Sequence, residues 1–90
     1  MEIIEAAGRY TAPGDTGADY MEHLRRPDLS VGTYSLRPGA VDTQSPHTED
    51  EIYVVTRGRA TLWTPTGSVQ LGPGDVAFVP AGEDLHEASS

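Results

Sequence analysis

Three side chains in this sequence suit metal chemistry, and their spacing suggests how they meet. His47 and Glu51 stand four residues apart. Side chains on a strand alternate faces with a period of two, so on an extended segment both point the same way. His86 follows a second short apolar run that ends in Pro80-Ala81-Gly82. An antiparallel sheet can bring such a strand end beside the first pair. Two imidazoles and one carboxylate on one face suit iron(II), manganese, nickel or zinc, and leave positions open for water or substrate. The expected cofactor is one divalent metal ion held by His47, Glu51 and His86. Glu49 shares their parity and can serve as a catalytic base, or remain a solvated turn acid. Tyr53 and Val55 continue the same parity and are expected to line a substrate pocket. Ser45 either hydrogen-bonds a metal-bound water or serves the turn before Pro46.

Short runs rich in Val, Thr and Tyr must position these groups. From Leu29 onward they alternate with Gly-Pro punctuation at close intervals, which is the pattern of an all-β chain. Strands are expected at about 30–36, 51–56, 59–64, 68–71, 75–79 and from 85. The breakers are Pro38-Gly39, Gly58, Pro65-Thr66-Gly67, Gly72-Pro73-Gly74 and Pro80-Ala81-Gly82. Connections this short make neighbouring strands antiparallel and favour a sandwich or barrel. The first part is less regular. Residues 2–7 are expected as an edge strand. Residues 18–25 are expected as a short helix, capped by Asp15 or Thr16, with Tyr20, Met21 and Leu24 facing inward and Pro27 stopping it. His23 on that helix has no assigned role. The domain reading is an N-terminal arm over 1–28 and a barrel over 29–90.

The segments around the three candidate ligands resemble the two motifs of the cupin family. The first, G-x5-H-x-H-x3-E-x6-G, is matched at Gly39, His47, Glu51 and Gly58, with Ser45 where the family has its first histidine. The second, G-x5-P-x-G-x2-H, is matched at Gly74, Pro80 and Gly82, with His86 one residue late. The resemblance runs from about Leu29 to His86. It implies an antiparallel jelly-roll-like β-barrel, with its C-terminal strands short or missing. It also implies a metal site from which the Ser45 substitution has removed one of the usual four protein ligands.

Composition limits the alternatives. The chain has 90 residues, which points to one domain. It has no cysteine, so disulfides and thiolate metal sites are excluded, and the expected compartment is cytoplasmic. The net charge of −8, with six scattered arginines as the only Lys or Arg residues, argues against nucleic acid, whose phosphates need clustered bases. No stretch reaches membrane-spanning length. Three function classes stay open: a metal-dependent enzyme on a small organic molecule (an oxidoreductase among the options), a non-catalytic small-ligand sensor, and a metal-free cupin. A domain this small, with open sheet edges, is expected to pair as a homodimer.

Overall fold

The computed structural model describes residues 1–44 and 48–89, with the backbone alone at Thr43 and Gln44. Every regular element among them is a strand. The order is β1 (Ala18–Arg26), β2 (Leu29–Leu36), β3 (Val41–Gln44), β4 (Glu51–Val54), β5 (Ala60–Thr64), β6 (Gly67–Leu71), β7 (Val76–Val79) and β8 (Leu85–Ser89). They form a β1–β2 hairpin, a four-stranded sheet in the order β3-β8-β5-β6, and a β4–β7 ladder. All pairings are antiparallel.

The helix expected over 18–25 is instead the long strand β1. It pairs with β2 from Ala18↔Leu36 to Arg26↔Leu29, which leaves Pro27 and Asp28 as a two-residue hairpin loop. The register slips between Glu22 and Leu24. That bulge brings Met21 and Leu24 onto one face, a three-residue spacing that imitates a helix, while Tyr20 takes the other face with Tyr34. His23 sits at the bulge, with Nε2 2.7 Å from the Thr33 hydroxyl. The edge strand expected over 2–7 is also absent, and the backbone turns at residues 5–8. The arm beyond that turn is tied to β2 by side chains. The Gly8 N–H donates to Thr33 Oγ1 (2.9 Å), and the Thr11 N–H donates to the buried Ser35 Oγ (3.0 Å). The Arg37 guanidinium donates to the carbonyls of Pro13 (2.6 Å) and Gly14 (2.7 Å).

The four-stranded sheet and the β4–β7 ladder face one another across a small core. Leu62, Leu71 and Leu85 come from the first and Val79 from the second, with Tyr53, Val55 and Ala77 packed against them. Leu85 is fully buried. The ladder continues one residue past β4, because the Val55 N–H donates to the Asp75 carbonyl and the Gly74 N–H to the Val55 carbonyl. Between β4 and β5, Gly58 adopts φ 75°, a conformation that costs other residues about 1–2 kcal/mol. No helix among the described residues is long and apolar enough to cross a membrane.

Candidate functional site

Strand alternation divides every candidate between an inner and an outer face. On β4, Glu51 and Tyr53 are half-buried while Ile52 and Val54 are exposed. Their β7 partners follow suit: Glu51 pairs with buried Val79 and Tyr53 with Ala77, whereas Ile52 pairs with exposed Phe78 and Val54 with exposed Val76. Glu51 therefore points inward with the core. Asp50 just before it fastens the two motif segments together, its Oδ1 accepting the Ala81 N–H at 2.9 Å. A spacing argument does not foresee this contact, because it joins residues 31 positions apart.

The same alternation acts on β8. Leu85 and Glu87 are buried, and Glu87 lies opposite Leu62 on β5 and Asp42 on β3. His86 lies opposite Trp63 and Thr43. Its ring stacks on the Trp63 indole at 5.6 Å between centroids and 12° between planes. His86 thus occupies the face of β8 away from Leu85 and Glu87. The second motif's spacing puts its histidine at position 85, where this chain has Leu85. A displacement of one residue along a strand moves a side chain to the other face.

Glu87 is only 5% exposed and was not among the residues singled out by spacing. Its parity with Leu85 is the signal that reveals it. Around it lies a group of phenols. Tyr34 on β2 meets Tyr20 at 4.4 Å and Tyr53 at 6.2 Å between ring centroids. Burial pushes the Tyr53 hydroxyl well above its ordinary range, and its hydrogen bond to the Glu51 carboxylate and the charge of Glu51 push it further. Burial also raises Tyr34, followed by the charges of Glu87 and Glu51. Tyr20 is raised by burial, then by Glu22 and Glu51. Glu51 and Glu87 thus act on Tyr34 and Tyr53 from two different sheets.

The other candidates fall as follows. Val55 packs against the core. Glu49 is exposed in the bend ahead of β4, where the Thr48 hydroxyl donates to it at 3.4 Å. His47 and Ser45 lie outside the described residues. Among the described residues, no three His, Asp or Glu side chains are grouped so as to hold a metal ion. The inner face itself offers the carboxylates of Glu51 and Glu87, with Asp42 opposite Glu87, beside neutral phenols, a combination that presents oxygen donors and hydroxyl protons to whatever binds there.

Comparison with known proteins adds the family. A family model described as a cupin domain matches residues 32–88. An uncharacterized protein of Streptomyces coelicolor is 43% identical over 63 residues, a match covering 70% of this chain and 60% of that protein. The matched segment thus spans less than two thirds of this relative's length. The crystal structure of a cupin superfamily protein from Desulfitobacterium hafniense superposes with a TM-score of 0.79 at 20% identity, covering 93% of this chain and 76% of the other. A protein of unknown function from Rhizobium leguminosarum superposes at 0.77 with 24% identity, covering 99% and 83%. At these identities the two structures establish the fold alone.

The raised phenols give a test of this inner face. Above pH ~10 the unfolded chain releases tyrosine protons that the folded chain retains. Stability fully present below that pH therefore falls as pH rises. Phenolate absorbance of the native protein at pH ~11 should lie well below that of the denatured protein at the same pH. Equal absorbance would show that Tyr20, Tyr34 and Tyr53 are not held as described.

Proposed function

The chain belongs to the cupin family, and from that premise we propose that it binds one divalent metal ion on the inner face and acts as a metal-dependent enzyme on a small organic molecule. The observation that carries this reading is the inward-facing Glu51, at the glutamate position of the first motif and hydrogen-bonded by Tyr53. His47 is the second donor of that motif. From β8 the residue on the inner face is Glu87, so we assign it as the third protein donor in place of His86. The donor set fits a hard cation: two carboxylates acting on the same phenols repel one another, and a dication offsets that charge. One imidazole and two carboxylates favour manganese or iron(II) over softer ions.

Bound there, such an ion supplies Lewis-acid or redox chemistry. The chain's own residues do the rest. Tyr53 holds Glu51 in orientation through its hydroxyl. Tyr34, kept neutral by burial, presents a hydroxyl proton to a substrate oxygen. Leu62, Val79 and Leu85 keep the adjoining volume apolar. With two carboxylate donors the loaded site carries no net positive charge, so nothing in it selects for an anionic substrate. The exposed position of Glu49 favours a second reading, a non-catalytic sensor, because it removes the proposed base from the interior.

Metal content after dialysis separates these assignments. His47→Ala and Glu51→Ala should each lose most bound manganese, Glu87→Gln should weaken binding, and His86→Ala should keep it. Full metal content in the His47→Ala, Glu51→Ala double variant would refute the site. Binding of small organic ligands without turnover under any metal would select the sensor reading.

We also propose a homodimer. Ile52, Val54, Val76 and Phe78 point outward from paired strands, each at least 55% exposed. A contiguous apolar face of this kind marks an interaction surface. Light scattering at micromolar concentration should give a dimer mass that Phe78→Glu reduces to the monomer, and a monomer for the unaltered protein would contradict the pairing.

A further inference from the structure

A cavity lies apart from Glu51, Glu87 and the inner phenols. The strand β6 ends the four-stranded sheet and β7 ends the ladder, and no pairing joins them among the described residues. A cavity of about 310 Å³ opens at this seam, floored by Leu62, Ala77, Val79 and Leu85, with Thr64 and Glu83 among its polar lining. None of Glu51, Tyr53, His86 or Glu87 lines it. Three of its floor residues belong to the buried core, so the floor is preformed by packing. Its volume is at the small end of ligand pockets, which run from about 300 to 1,000 Å³.

The lining also has a charge signature. Among the described residues that line it, Glu83 is the only charged one, with no Arg or His. Glu83 is half-buried beside the Pro80-Ala81-Gly82 turn, and its backbone N–H donates to the Pro80 carbonyl at 3.4 Å. The whole chain carries a net charge of −8, and its field draws cations toward any pocket of this sign. An apolar floor with one carboxylate at its edge suits a ligand with a compact hydrocarbon body and a single positive head. A charge-assisted hydrogen bond to a partly desolvated carboxylate is roughly twice as strong as a neutral one.

We propose that this cavity binds a small apolar amine, with its hydrocarbon on Leu62, Val79 and Leu85 and its ammonium group at Glu83. Thr64, whose hydroxyl lies 3.1 Å from that of Thr66, supplies an oxygen to a remaining ammonium proton. The assignment does not depend on a bound metal and stands or falls separately from the metal site.

The test uses the full chain treated with a metal chelator, followed by NMR titration of its Leu and Val methyls. Cyclohexylamine, cyclohexanol and cyclohexanecarboxylate are the probes. Cyclohexylamine should shift the Leu62, Val79 and Leu85 methyls saturably and bind at least about tenfold tighter than the carboxylate. Ala77→Phe, which fills the floor, should abolish the shifts. Glu83→Gln, at a loop position, should remove most of the amine preference and keeps the test decisive if Ala77→Phe does not fold. The proposal is overturned if no probe gives saturable shifts, if the carboxylate binds as tightly as the amine, or if Glu83→Gln leaves the preference unchanged.

Discussion

Everything in this domain depends on the registers that pair β5 with β8 and β4 with β7. A strand offers only two faces, and among the described residues the core has four buried apolar side chains to fill the space between the sheets. The pairing of Leu62 with Glu87 and of Glu51 with Val79 decides which face of each strand supplies them. A slip of one residue in β8 would replace Leu85 and Glu87 with His86 and Ala88 on the inner side. It would bury an imidazole and remove the one fully buried leucine from the core. The register is therefore held by packing, and the site inherits it.

This constraint accounts for the chemistry of the interior. Glu87 is carried inward because it shares the face of Leu85, and a carboxylate in such a place must be matched by polar partners or by a cation. Tyr34 and Tyr53 are the phenols that feel its charge, and burial keeps them protonated. Glu51 enters the same region from the opposite sheet, bonded by Tyr53 and preceded by Asp50, whose bond to Ala81 locks β4 to the turn after β7. The apolar side of the interior faces the β6–β7 seam instead, where Leu62, Val79 and Leu85 floor a cavity with one acid at its edge. The two regions share the core leucines and valine as a common wall.

Much of this was legible in the sequence. The Gly-Pro punctuation located β2 and β4 to β8 to within a few residues, because turns that need unusual backbone angles are marked by residue type. The two motifs identified the family, and the parity of Glu51, Tyr53 and Val55 with the core followed from alternation. Other parts were hidden for physical reasons. The bulge at His23 disguised β1 as a helix. The strand β3 has four residues and a polar sequence, Val-Asp-Thr-Gln, so its place beside β8 comes from tertiary pairing. Glu87 could have been found by taking the face of Leu85 seriously. A histidine one residue late in a motif looks like a near match in a string, yet on a strand it is on the opposite side.

The placement of the proposed metal ion relative to β8 is therefore the decisive point. Crystals grown with manganese(II), with anomalous scattering measured at the manganese absorption edge, would locate it directly. The expected result is one anomalous peak on the inner face, bonded to carboxylate oxygen of Glu51 and Glu87 at about 2.0–2.3 Å, with the His86 ring still stacked on Trp63. A peak ligated by His86, or no peak beside Glu51, would contradict the division of faces on which the site rests.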